Sequence, residues 1–270
     1  MTYDAAAIAS HFDQLGDKEW DRFDRTLGDR VSLALHSLVL ERFTLRGGRV
    51  LEIGAGPGRF TEQLHQLGCR IVVGDLSPTQ LRLNEQTAQA RGFTASVEAW
   101  QQLDICDLRR FPDQSFDTVI AFGGPFSYVF EQRGAALHEC LRVLRPEGAL
   151  LLSVMSLWGT VHRHLRAVLT LPEPANRSIV ATGDLTKEND PSSTHHCHLF
   201  RAAELKTFLD EPNAELLWLS ASSALTTGFE ANVLPSEQSW GLVLELEEVA
   251  CTQPGYLDAG THLIAAVRRK

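Results

Sequence analysis

Residues 50–60 read Val50-Leu51-Glu52-Ile53-Gly54-Ala55-Gly56-Pro57-Gly58-Arg59-Phe60, an apolar run that breaks into three alternate glycines. The run has the make-up of a buried strand, and each glycine lacks the Cβ that would resist a positive φ or keep a ligand off the main chain. The next segment carries Phe60, Leu64 and Leu67 on one helical stripe, with Gly68 as its C-cap. The N-terminus of that helix faces the turn, so its free N–H groups and dipole favour an anionic group there.

Two cofactor classes use such a turn. A dinucleotide site asks for G-x-G-x-x-G, whose last glycine lets the helix pack closely; here Arg59 occupies that place. Arg70 to Gly74 form the next strand and deliver Asp75 about 20 residues beyond the loop, where a carboxylate accepts from both ribose hydroxyls of either cofactor. Asp75-Leu76-Ser77-Pro78-Thr79-Gln80 predicts a helix start, with Ser77 as N-cap, Pro78 at the first position and Gln80 completing a capping box, and Gly92 ends that helix. Asp104 follows in Gln102-Leu103-Asp104-Ile105-Cys106-Asp107. A lone aspartate at a strand end is most often a turn residue, but two acids after successive strands favour binding. Glu52, inside a strand, needs a partner.

With Glu52 included, the first loop resembles the E-x-G-x-G-x-G motif of the class I, Rossmann-like S-adenosylmethionine-dependent methyltransferases. Phe111-Pro112-Asp113-Gln114-Ser115-Phe116-Asp117 resembles the family's D-x-S-F-D entry into its fourth strand, and Arg142-Val143-Leu144-Arg145-Pro146-Glu147-Gly148 its turn before the fifth. The resemblance covers residues 50–155. It implies an α/β fold with a mostly parallel seven-stranded sheet, helices on both faces, an antiparallel last strand and helical lids. It also implies that Gly54, Ala55, Gly56 and Gly58 hold the methionine end of S-adenosylmethionine, with Glu52 toward its ammonium group. Asp75 and Leu76 then take the ribose, Asp104 the adenine amino group and Ile105 the ring. Phe122 and Gly123-Gly124-Pro125-Phe126-Ser127-Tyr128 end the fourth strand near the transferable methyl.

Tyr128 is the better catalytic candidate and His162 the second. No Asn/Asp-Pro-Pro-Tyr/Phe motif follows the fourth strand, so methylation of nucleobase or protein amides is not supported, and a small metabolite acceptor at oxygen, nitrogen or carbon is favoured. Two other readings remain: an NAD-dependent oxidoreductase sharing the first loop and Asp75, and a non-catalytic scaffold that kept the fold.

The chain has 270 residues, 44% of them hydrophobic, and a net charge of -9. That length can bury a full core, and the acidic balance disfavours a nucleic-acid partner. No apolar stretch is long enough to span a bilayer, and Met1 to Ser10 lacks the basic start of a secretory signal. The cysteines at 69, 106, 140, 197 and 251 form no C-x-x-C pair, which predicts free thiols in the cytoplasm.

Residues 1–48 read as an N-terminal helical lid, helical from 5 to 45, and 49–270 as the methyltransferase domain with cap insertions near 156–200 and 223–258. Leu157 to Leu171 reads as a helix, Pro172 to Pro191 as a polar loop, Ala202 to Leu209 as a short helix and Ser236 to Ala250 as another; Glu215 to Ser222 and Thr261 to Arg268 read as the closing strands. Thr194-His195-His196-Cys197-His198-Leu199 invites a metal reading, but an extended run puts only two ligands on each face, and no metal is expected. His162 and His164, two apart on a helix, do not share a face.

Overall fold

A computed structural model describes residues 2–191, 195–229 and 236–270. The chain opens with α1 (Ala5–Leu15), capped by the Asp4 carboxylate, a 3-10 turn over Gly16–Phe23, and α2 (Leu27–Phe43), capped by the Thr26 hydroxyl. Then come β1 (Arg49–Ile53), α3 (Arg59–Gln66), β2 (Arg70–Asp75), α4 (Pro78–Arg91), β3 (Val97–Gln102) and β4 (Phe116–Ala121). The short α5 (Pro125–Tyr128), α6 (Arg133–Val143) and β5 (Leu144–Met155) complete the segment that carries the motifs. Beyond it lie α7 (Leu157–Arg163), α8 (Leu165–Val168), α9 (Glu173–Thr182) and a two-residue pair, β6 (Asp184–Leu185) with β7 (Cys197–His198). The chain closes with α10 (Ala202–Phe208), β8 (Ala214–Ala221), α11 (Glu237–Ala250) and β9 (His262–Arg269).

Seven strands form one sheet in the order β3-β2-β1-β4-β5-β9-β8. All run parallel except β9, which is antiparallel to both β5 and β8. Strand side chains alternate between faces, and the core divides accordingly. Leu51, Val72, Val119 and Leu150 join one cluster with Leu137, Cys140 and Leu141 of α6. Val50, Ile71, Ile120 and Leu151 join another with Val31, Leu35 and Val39 of α2 and Phe60 and Leu64 of α3. A third cluster, Tyr128, Met155, Leu157, Ile179, Cys197 and Leu199 with Ile8 and Phe12, closes over the C-terminal edge of the parallel strands. Open α/β sheets bind ligands at that edge.

The N-terminal segment therefore divides. Residues up to Phe23 lie over the strand ends, whereas α2 is a sheet-packing helix. The helix expected over 157–171 is broken at His164, and the stretch expected as a polar loop over 172–191 contains α9. Pro172 and Pro174 stand at the N-cap and first turn of α9, where a missing N–H costs nothing, and Gly183 ends it in the left-handed region.

A buried polar chain lies beneath the glycine turn. Glu52 is 2% exposed and its carboxylate accepts from the Thr61 hydroxyl at 2.7 Å. Thr61 in turn accepts from Asn84 Nδ2 at 2.9 Å, Asn84 Nδ2 also reaches the Gly56 carbonyl at 3.1 Å, and the Trp100 indole donates to Asn84 Oδ1. Burial, opposed only by the Thr61 hydrogen bond, pushes the Glu52 carboxyl up to about 8 from its ordinary value of 4.5.

Gly159 of α7 backs directly onto the main chain of Gly260, and a Cβ there would fall inside the Gly260 carbonyl. Gly159→Ala is expected to cost about 3 kcal/mol or more, above the usual range for overpacking because the obstacle is backbone; chemical denaturation measures it. The unfolded Glu52 side chain loses its proton above about 4.5, whereas the folded one keeps it to about 8, so the raised value takes stability away as pH rises through that window. Thermal melts should therefore fall by several degrees between pH 5 and pH 8, and by clearly less in Glu52→Gln; an equal fall in both would mean that Glu52 ionises normally.

Candidate active site

The glycine turn follows β1 and leads into α3. Gly54, Gly56 and Gly58 take φ of 67°, 54° and 104°, the left-handed region in which a side chain would be strained. A Cβ at Gly54 would also stand 2.9 Å from the Pro125 ring. Asp75, at the end of the neighbouring β2, ties the turn down. One carboxylate oxygen accepts from Gly56 N at 3.0 Å and the other from Ser77 N at 2.9 Å. Asp75 is 7% exposed, and among the described residues no cation pairs with it. Burial pushes its carboxyl up to about 6. Such a carboxylate still has lone pairs to satisfy, and hydroxyl donors would satisfy them.

A groove runs along this edge, lined by Gly54, Gly56, Asp75, Leu76, Ile105 and Phe122. Gly123, Pro125 and Tyr128 extend it along the end of β4, and Leu103 borders the Ile105 side. Glu52, Ala55 and Gly58 lie behind it: Glu52 faces Thr61, Ala55 N donates to Gly74 O, and Gly58 caps α3. Asp104 accepts from Cys106 N at 2.8 Å and sits beside Tyr3, whose ring lines the groove. Burial and the Asp104 charge push the Tyr3 hydroxyl well up. His162 is exposed, with its ring against Gly228 and outside both groove and cavity linings. Val161 and Arg163 of α7 line the cavity, as does His164, the exposed residue at which the helix breaks.

The groove is completed from the N-terminal segment read as a lid, though the sequence does not say which of its side chains do so. Ile8, Phe12, Glu19 and Arg22 reach over it from α1 and the 3-10 turn. Asp13 fastens the lid to the start of α4, accepting from the Ser77 hydroxyl at 2.5 Å and Thr79 N at 3.1 Å. Gln80 Nε2 donates to the Phe12 and Gly16 carbonyls, each at 3.0 Å, which leaves Gln80 Oε1 buried without a partner at the groove. The Trp20 ring stacks with the guanidinium groups of Arg59 and Arg91. The signal was present in the mixed aromatic and acidic stretch from His11 to Asp24, but no spacing rule says which of its side chains turn inward.

These features fit an adenosyl sulfonium group. The glycines leave room where a Cβ would intrude, Asp75 keeps lone pairs beyond its two main-chain donors, Leu76, Leu103 and Ile105 offer an apolar bed for a ring, and Gln80 Oε1 is an acceptor with no partner among the described residues.

A second cavity, about 590 Å³, adjoins the groove. Its walls come from Phe23, α2, α7, α9, Leu185, Asp190, His195, Cys197, Leu199 and the start of β9, and Arg22 lines both spaces. Tyr128, at the groove, meets His195, at the cavity, through a 2.5 Å contact between its hydroxyl and Nε2. Burial lowers His195 to about 4, so it is neutral near pH 7. His198 is held between Asp184 at 2.6 Å and Glu204 at 2.7 Å, where it pins the β6–β7 pair to α10. Thr194 lies outside the described residues, within which no cluster of three or more His, Cys, Asp or Glu could hold a metal ion.

Residues 50–148 match the family model of the methyltransferase domain. The ubiquinone biosynthesis O-methyltransferase of Xanthomonas oryzae pv. oryzae is 29% identical over 215 residues, covering 76% of this chain and 78% of the relative. The ubiquinone/menaquinone biosynthesis C-methyltransferase of Hahella chejuensis is 31% identical over 53% of this chain and 58% of its own length. Among solved structures, the 1,6-didemethyltoxoflavin-N1-methyltransferase of Burkholderia thailandensis, which holds S-adenosylhomocysteine, aligns with a TM-score of 0.59 at 17% identity, over 98% of this chain and 88% of that one. The [4+2]-cyclase SpnF aligns at 0.56 and 21%, over 88% and 81%. Likeness at that level of identity shows the fold. Neither a nicotinamide-dependent oxidoreductase nor a non-catalytic scaffold finds support in these matches. Together with the glycine turn and the ordered strand-end acids, the sequence matches support a class I S-adenosylmethionine-dependent methyltransferase, its methyltransferase domain matched over residues 50–148.

Proposed function

We propose that the methyl acceptor is a small, largely apolar metabolite seated in the cavity beside the groove. The observation that carries this reading is the adjacency of the two spaces: Arg22 lines both the cofactor groove and a separate, partly open cavity of about 590 Å³, within the range of small-molecule sites. The relatives' names place their acceptor atoms at oxygen, carbon and nitrogen, so they agree on a small acceptor without agreeing on its atom. No described helix is long and apolar enough to cross a membrane, and the five cysteines are free, which supports a reducing, cytoplasmic setting.

The cofactor, when bound, supplies an electrophilic methyl on a leaving group that departs uncharged. The protein's work is then chiefly alignment and exclusion of water. Gly54 and Gly56 would let the methionine end lie against the main chain, Asp75 would accept from the ribose hydroxyls, and Leu76 and Ile105 would pack on the adenine beside Asp104. Phe122 and Tyr128 would border the reacting centre. The lid, with Phe12 and Glu19 above the groove, would keep solvent out.

Calorimetry with S-adenosylhomocysteine tests the cofactor roles. Asp75→Ala removes two main-chain bonds together with the ribose partner, and Gly56→Val forces a β-branched side chain into the left-handed region. Each is expected to weaken binding about tenfold to a hundredfold, corresponding to roughly one or two buried hydrogen bonds; unchanged affinity in both would sink the assignment. Transfer of labelled methyl to a metabolite library, with no label entering protein or nucleic acid, is the outcome expected for the acceptor.

A further inference from the structure

The cavity beside the groove is apolar along most of its wall, where Phe23, Met155, Val161, Leu171, Ile179 and Leu199 line it. Toward the groove it is different. There Arg22, His195 and His262 come together from the lid, the cap and the start of β9. His262 packs edge-on against His36, whose ring in turn meets Phe122 of the groove at 5.0 Å.

The acids near this end are already paired, Glu19 with Arg22 itself. Asp29 pairs with Arg163 at 3.0 Å, Glu19 takes Arg22 Nε at 2.9 Å, and Asp190 has a partner of its own. The Nη atoms of Arg22 make no hydrogen bond among the described residues, and they lie over Gly123, 2.7 and 3.4 Å from where a Cβ would stand. Among the described residues, no hydrogen-bond partner meets the buried His262 Nε2. Its Nδ1 stands 3.3 Å from the Thr261 hydroxyl. With that hydroxyl donating to Nδ1, the ring proton sits on Nε2 as a free donor.

We propose that the acceptor enters this cavity as an oxyanion on an apolar body, an ionised phenol or enol or a carboxylate, with its charged oxygen held between the Arg22 guanidinium and His262 Nε2–H. The assignment rests on the methyl-transfer reading above. Burial, followed by His36, Arg22, His195 and Arg163, drives the His262 imidazole well below its ordinary range, which makes it a poor base and leaves it a neutral donor. Burial by itself would raise an acceptor's pKa too; the Arg22 charge and the His262 N–H donor, both placed on the oxygen, outweigh it and lower that pKa. An acceptor that ionises on entry leaves its proton in solvent, so the protein need supply no base, and transfer ends in a neutral ether or ester. An amine would instead gain positive charge beside Arg22, where Glu19 is already paired with that guanidinium.

The probe is 4-nitrophenol, whose visible absorbance reports its ionisation. It is titrated against pH on the full-length protein saturated with S-adenosylhomocysteine. Binding is expected to lower its pKa by about one unit or more, a tenfold gain in phenolate at a given pH. His262→Phe and Arg22→Met should each abolish most of that shift, while His262→Gln, which keeps an N–H donor, and Arg22→Lys, which keeps the charge, should restore part of it. Phenylacetate in competition tells the two sources apart: tighter phenylacetate binding assigns a carboxylate, and tighter nitrophenolate binding assigns an acidic hydroxyl. Calorimetry on the same samples separates the failures. If the wild-type protein does not bind S-adenosylhomocysteine, the methyl-transfer reading falls. If it does, the oxyanion assignment alone is overturned by nitrophenol bound un-ionised, by binding of neither anion, or by a shift that survives in both His262→Phe and Arg22→Met.

Discussion

The Asp75 carboxylate, buried at the end of β2 without a cation beside it, is the interaction on which the site depends. Its two oxygens fix two main-chain donors that belong to different elements. Gly56 N lies in the turn after β1, and Ser77 N lies at the cap of α4. One side chain thus sets both the path of the glycine turn and the start of the adjacent helix. Charge-assisted bonds to N–H groups are strong enough to keep a carboxylate in such a place, but desolvation outweighs them, and the carboxyl rises to about 6. The imbalance leaves the group short of donors on the side that faces the groove. Substrate hydroxyls would complete a shell that the protein leaves incomplete.

What could be read from the chain, and what could not, follows from how local each rule is. The strand–glycine–helix unit, the Ser77 N-cap with Pro78 at the first position and the Gly92 stop are dictated by residues within a few positions, and the structure has them, whereas the Gln80 half of the expected capping box is replaced by bonds to the Phe12 and Gly16 carbonyls of the lid. The antiparallel closing strand came from family resemblance, because nothing within 262–269 states its direction. β3 gave no clean signal: Val-Glu-Ala-Trp-Gln-Gln is an edge strand, half exposed along its length, so it lacks a hydrophobic run. The acceptor cavity was illegible for a different reason. Arg22, His195 and His262 are separated by more than 200 residues of chain, and only the tertiary fold brings them to one wall. Of the two histidines set two apart, His162 in α7 lies outside the cavity lining while His164, at the break after it, lines the cavity, and the helix break that separates them is not stated by their spacing.

The sheet itself says little about the reaction. Structures of similar overall shape include both an N-methyltransferase and a [4+2]-cyclase, so the same strand order serves chemistries with nothing in common at the bond level. What distinguishes this chain is the furniture at the C-terminal edge: the glycines and acids on the cofactor side, and an apolar cavity with a nitrogen-rich end on the other. The first set is built from the regular βα turns. The second is assembled from insertions after β5 and from the N-terminal segment, which are the parts of the fold that can vary without disturbing the sheet.

The lid joins these two halves physically. From residue 8 to residue 23 it supplies Phe12 and Glu19 to the groove, Phe23 to the cavity, and Arg22 to both. It is anchored almost entirely on the cofactor side, through Asp13 and Gln80 at the start of α4 and Trp20 beside Arg59 and Arg91. Arg22 is thereby placed by contacts that the cofactor's own neighbours make. Any ligand that stabilises the docked lid from the groove also fixes the guanidinium that borders the acceptor space, and linkage requires that an acceptor held by that guanidinium favour the docked lid in return. Occupancy of one space then strengthens occupancy of the other without a contact between the acceptor and the glycine turn.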